Sequence, residues 1–245
     1  MGRLIHTRRA GVGQLACASS RAPRASATSV RFERGASQAL THAHYRDPDL
    51  TSSERREDAL EWCKGRNWSW RAFLLAYLAY VSVRALSDDE YGTIFGGITL
   101  VVHEAGHAVF GAFGELLAVM GGSIMQLAIP LIVAMLFLRQ REYYGIVVAL
   151  AWLSTSSCNL AAYIGDARSQ DLPLVSMGSG DPIHDWHYIL GHFGLLGQDH
   201  ALARLARFAS FVSLLLAIVL GAWLCNAMRL SAGTTPPADE ELLRG

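Results

Sequence analysis

The chain is poor in charge and almost without lysine. Only 17% of its 245 residues are Asp, Glu, Lys or Arg, and Lys64 is the single lysine. A soluble domain carries about 25% charged residues, so the composition argues against an aqueous globule. Cysteine is scarce as well. Cys17, Cys63, Cys158 and Cys225 lie far apart and form no CxxC pair, which excludes a disulfide framework or a zinc knuckle. No apolar segment follows the early arginines, so no secretory signal is expected. Those arginines are scattered and lack interleaved aromatics, unlike a nucleic-acid-binding arm, and no nucleic-acid partner is expected. No internal repeat is visible.

What the chain does have is apolar residues, 51% of the total, gathered into runs. Five runs approach the ~20 residues that a helix needs to cross ~30 Å of hydrocarbon: Trp68 to Leu86, Ile94 to Leu117, Met120 to Leu138, Tyr144 to Ile164 and Phe208 to Met228. The expected fold is all-α, a polytopic helical membrane protein with about five transmembrane helices. Residues 1–66 read as a basic, disordered tail, 67–230 as the membrane domain, and 231–245 as a C-terminal tail. The Arg-, Ala- and Ser-rich start has the composition of an organellar transit peptide, but equally that of a plain basic tail or of an upstream extension of the reading frame. A bacterial inner membrane is the expected location, with an organellar membrane as the alternative.

Residues 1–66 hold twelve Lys/Arg against seven Asp/Glu, which favours a cytoplasmic N-terminus by the positive-inside rule. Five crossings then put "SDDEYG" (Ser87 to Gly92) outside and 165–207 inside. One loop objects: "RQRE", Arg139 to Glu142, would face outward with two arginines. Within 178–200, "GDPIHDWHYILGHFGLLG" reads as a short amphipathic helix at the membrane interface, with Asp181 as N-cap and Pro182 at its first position.

The second run carries "HEAGH", which puts His103, Glu104 and His107 in an apolar setting. Ionisable groups there cost roughly 2.5–3.5 kcal/mol each on insertion scales, so they call for a function. Residues four apart share a helix face, so His103 and His107 can present two imidazole nitrogens to one ion. Glu104 sits beside that site without being a ligand, placed to take a proton from water. This is the HExxH arrangement of zinc hydrolases, and Zn2+ is the expected cofactor. Ala105, Gly106, Ala108, Gly111, Ala112 and Gly114 give the helix a small face that lets a neighbour approach closely. Glu115 reads as a polar residue at the helix end.

A catalytic zinc needs a third protein ligand. Asp166, at the end of the fourth run and two turns beyond Asn159, is the natural carboxylate. Asp181, His184, Asp185, His187 and His192 are its competitors. With these residues the chain resembles the site-2 protease family of intramembrane zinc metalloproteases, over about residues 94–175. The resemblance rests on His103-Glu104-Ala105-Gly106-His107, on Gly122 with Gln126 four residues later, and on Asn159 leading to Asp166. It implies a three-helix metalloprotease core with His103, His107 and Asp166 as metal ligands and Glu104 as the catalytic residue. Gln126 and Asn159 would position the substrate backbone. The chain departs from the family in having Ala162 where proline is usual after the Asn, and Ala167 where glycine follows the Asp.

The expected function is therefore a membrane-embedded zinc metalloprotease. It would hydrolyse peptide bonds of membrane proteins or peptides, within or near the lipid bilayer. Two other readings stand beside it: a non-catalytic membrane adaptor that keeps the fold, and a membrane di-iron oxygenase. The latter class needs about eight histidines in HxxHH boxes, and the chain has no such box.

Overall fold

A computed structural model describes residues 51–173 and 183–233. Every regular element among these is helical. In chain order they are α1 (Ser52–Cys63), α2 (Ser69–Ser87), α3 (Gly96–Phe110), a 3-10 turn (Gly111–Phe113), α4 (Glu115–Gln140), α5 (Tyr143–Gly165), α6 (Asp185–His192), a second 3-10 turn (Leu196–Gln198) and α7 (Asp199–Ala232). Helix α1 lies inside the stretch expected to be a disordered tail. It starts with a reciprocal cap between Thr51 and Glu54, which satisfies two N–H groups of its first turn.

Three segments are long and apolar enough to cross a membrane: Glu115–Gln140, Tyr143–Gly165 and Leu196–Ala232. The other two expected spans fall short for different reasons. Helix α2 has the length, at 19 residues, but Arg71, Arg84 and its serines and tyrosines dilute it. Helix α3 has only 15 residues, about 22 Å at 1.5 Å per residue. The apolar run from Ile94 to Leu117 is cut by Gly114, whose φ of 104° is a conformation that only glycine adopts readily. There the chain reverses, and α3 and α4 form a tight hairpin.

Glycine also sets how close that hairpin packs. A Cβ on Gly106 would lie 2.2 Å from the carbonyl oxygen of Gly121, and one on Gly121 would lie 2.5 Å from that of Gly106. The two backbones touch, the contact expected of small residues between membrane helices.

Side-chain pairs fix the running directions. Helices α5 and α7 are antiparallel: Leu150 accepts from Ser213, Ser154 meets Ser210, and Gly165 lies by Ala203. Helix α2 runs alongside α5, from a Tyr144 hydroxyl bond to the Arg71 carbonyl up to Leu86 and Asp89, which accept from Arg207. Helix α3 also runs with α5 but starts part-way along it. Phe95 stacks on Trp152, Thr99 bonds Trp152 and Ser156, and the His103 ring faces Tyr163. Trp152 is nine residues into α5, about 14 Å from its start by helical rise. The chain thus dips back from the end of α2 to begin α3 part-way along the bundle.

This path corrects two expectations. The ends of α2 and α5, with Ser87 and Ser169, lie at the same end of the bundle, not at opposite ends as five crossings would put them. The Arg139–Glu142 turn lies at the other end, where Arg141 and Tyr143 both donate to Asp58 of α1. That end gathers Arg55, Arg56, Lys64, Arg66, Arg71, Arg139, Arg141 and Arg229 against Glu54, Glu57, Asp58, Glu61 and Glu142, while the opposite end carries Asp88, Asp89, Glu90, Glu115, Asp166, Asp171, Asp185 and Asp199 against Arg84, Arg168, Arg204 and Arg207. The loop that objected to a cytoplasmic N-terminus therefore joins the basic end. HEAGH, at the middle of the apolar run that was expected to span, lies close to the acidic end instead: His103 is level with Tyr163, two residues before α5 ends.

Candidate metal centre

His103 and His107 stand one turn apart on α3, with ring centroids 4.8 Å apart and planes at 78°. Each ring is oriented through Nδ1. His107 Nδ1 lies 2.9 Å from the Ala118 carbonyl oxygen, which can only accept, so this nitrogen carries its proton. His103 Nδ1 lies 2.9 Å from Oε1 of Gln126, whose own amide donates to the Ser156 carbonyl at 2.9 Å. That second bond turns the Gln126 oxygen towards His103 and makes its Nδ1 a donor too. Both Nε2 atoms are thereby left to face a common partner. Gln126 was expected to position substrate; here it holds a histidine.

The carboxylate that meets these nitrogens belongs to Asp185, the first residue of α6. Its Oδ2 lies 3.0 Å from His103 Nε2 and 3.3 Å from His107 Nε2, and the three ligand atoms lie within 4.8 Å of one another. With both Nδ1 protons committed, neutral rings offer two lone pairs beside a carboxylate oxygen. Such a convergence can be met by a bound cation or by a proton on a ring nitrogen. The contacts are close to the edge of about 3.3 Å in a tetrahedron built with 2.0–2.1 Å bonds.

Room for an ion comes from Gly122 on α4. A Cβ there would stand 2.6 Å from His103 Nε2 and 2.7 Å from His107 Nε2, so any side chain would fill the cradle. The donor set and this space fit a small divalent metal.

Beside these three side chains lies a cleft of about 290 Å³ between α3 and α5, lined among others by His103, Glu104, Asn159 and Tyr163 and bounded by Leu172 and Pro173. Glu104 and Asn159 are half-buried there, and neither side chain has a hydrogen-bond partner among the described residues. The Tyr163 hydroxyl accepts the Asp185 N–H at 2.9 Å, which leaves its own proton for a further acceptor.

Asp166 does not reach the histidines. It closes α5, and both of its oxygens are occupied. Oδ1 accepts from the Ser169 hydroxyl at 2.7 Å and the Asp171 N–H at 2.9 Å; Oδ2 accepts from the Leu172 N–H at 3.1 Å and from His184 Nε2 at 3.2 Å. Burial raises this carboxyl, but its four donors win and hold it below the ordinary value. Of the other candidates, His184 caps α6, His187 Nδ1 bonds the Ala167 carbonyl, and His192 is exposed. Asp181 lies outside the described residues. The helix expected from Pro182 begins instead at Asp185, capped by His184.

One signal in the sequence pointed to Asp185. It precedes Ile189 by four residues, which puts it on the apolar face of α6, where Ile189 and Leu190 are buried. A carboxylate on a buried face needs a charged partner. Trp186 adds a hydrogen bond to Ser123 on α4, which seats the helix against the hairpin.

Compared with known protein families, curated proteins and solved structures, the chain matches none.

Proposed function

We propose that the protein is a membrane-embedded zinc metalloprotease whose ligands are His103, His107 and Asp185. The observation that carries this reading is the convergence of two oriented Nε2 atoms and a carboxylate on a space kept open by Gly122. Two histidines and a carboxylate also suit non-haem iron(II). A free glutamate immediately after the first ligand favours hydrolysis over oxygen chemistry.

Bound zinc would polarise a substrate carbonyl and make water acidic enough to lose a proton near neutral pH. Glu104, unpaired in the cleft, would accept a proton from such a water and return it to the leaving amide nitrogen. Asn159, also unpaired, donates to or accepts from the substrate backbone. The Tyr163 hydroxyl, held by the Asp185 N–H, can donate to the oxygen that gains charge. The substrate segment must be extended, because a helix keeps its carbonyls in its own hydrogen bonds. Placing the basic end in the cytoplasm, as the positive-inside rule directs, turns the cleft towards the opposite face.

The test is purified protein in detergent, analysed for metal and incubated with a panel of transmembrane peptides. About one zinc per chain and cleavage that a chelator abolishes are expected. Iron with oxygen-dependent turnover, or zinc-loaded protein inert on every peptide and on its native partner, would overturn the reading.

A further inference from the structure

We infer that Asp166 is a positioning residue for the metal centre: through His184 it fixes the cap of α6 and so the place of Asp185. The inference rests on the metal-site reading above. The chain of bonds runs in one direction. An ionised carboxylate can only accept, so His184 Nε2, at 3.2 Å from Asp166 Oδ2, carries the proton. His184 Nδ1 then holds a lone pair, which accepts the His187 N–H at 3.2 Å. This is the N-cap bond of α6, and Asp185 is the residue that follows the cap.

Histidine is an unusual cap, since Ser, Thr, Asp and Asn are the residues that usually fill this place. Only one of its two neutral tautomers can accept at Nδ1, and the Asp166 carboxylate selects it. His184 is 3% exposed, so water is not there to substitute. Asp166 is itself immobilised by Ser169 and by the amides of Asp171 and Leu172. A fixed carboxylate at the end of α5 thus sets a tautomer, the tautomer sets a helix start, and the helix start presents the ligand.

The experiment is a double-mutant cycle on the full-length protein in detergent: Asp166→Asn, His184→Asn and both together. Asn at 166 keeps an oxygen for Ser169 and places an NH2 towards His184. The imidazole must then reverse its tautomer, and a ring N–H meets the His187 N–H. Asn at 184 caps the helix without needing a tautomer. Two readouts are taken: amide exchange of α6 in metal-free protein, and zinc affinity by chelator competition.

In the natural background, Asp166→Asn should speed His187 amide exchange about five-fold, the fold-change of one lost cap. It should also weaken zinc binding about 10–100-fold, as for loss of an outer partner of a ligand. In the His184→Asn background the same change should add less than about two-fold to either readout. Equal penalties in both backgrounds would overturn the relay, and a zinc penalty that persists while exchange is normal would make Asp166 a ligand itself. Should the natural protein bind no zinc, the metal reading fails alone, because exchange in the metal-free protein still decides the relay.

Discussion

His103 donates its Nδ1–H to Oε1 of Gln126 across 2.9 Å, and that glutamine cannot turn round, because its amide is spent on the Ser156 carbonyl. One side chain of α4 therefore ties a histidine of α3 to the backbone of α5. Replacing Gln126 by Leu removes the acceptor while keeping bulk. Zinc affinity is expected to fall by about 10–100-fold with the helical content unchanged. A chelator titration with circular dichroism checks this, and unchanged affinity would remove Gln126 from the site.

Gly122→Ala should abolish metal binding more completely than any change outside the three ligands. Its Cβ would lie within 2.7 Å of both Nε2 atoms, so both rings must move. Gly106→Ala meets backbone instead, at 2.2 Å from the Gly121 oxygen. That substitution should open the hairpin and lower thermal stability, at the upper end of or beyond the 1–3 kcal/mol that overpacking roughly costs. Metal content and melting temperature, measured on both variants, separate a filled cradle from a forced hairpin.

Glu104→Gln should leave zinc content and folding intact, since Glu104 is not among the converging ligands. Peptide hydrolysis should fall by on the order of 10²–10⁴-fold, the usual share of a general base. Cleavage at the natural rate would exclude Glu104 from proton transfer.

Topology gives a prediction independent of chemistry. In a variant with its own cysteines replaced, single cysteines at Glu90 and Asp171 should react with an impermeant thiol reagent from one side of the membrane. A cysteine at Gln140 should react from the other side. All three are exposed positions. Labelling of Glu90 and Asp171 from opposite faces would restore five crossings and sink the re-entrant path.

How much of this was legible in the sequence varied with the kind of signal. Helical, apolar organisation was plain from the runs, and HEAGH announced its two histidines through spacing alone. Counting residues could not tell a crossing from a hairpin, since Gly114 and the Gly106–Gly121 contact act through backbone conformation and tertiary proximity. The third carboxylate was harder still. Asp166 stands where the family resemblance expects a ligand, yet its loop supplies three donors to it and His184 a fourth; Asp185 comes from a separate short helix that chain order does not place. Gln126 stood out only through the family resemblance, as the amide four residues after Gly122. Its role depends on which way the amide points, and only the Ser156 carbonyl decides that.

The shallow place of the two histidines on α3 bears on where along a target a cut would fall. The histidines sit level with the last turn of α5, a few ångströms from where that helix ends. A peptide bond cleaved at this depth would belong to the boundary stretch of a target, just inside one leaflet. Its mid-membrane helix could then stay wound, and only the frayed terminal turn would have to open. Solvent would need to travel past a single layer of headgroups, with no aqueous pore through the lipid tails. Specificity would follow the residues flanking a span, and moving a target's helix end inward or outward by one turn should decide whether it is cut.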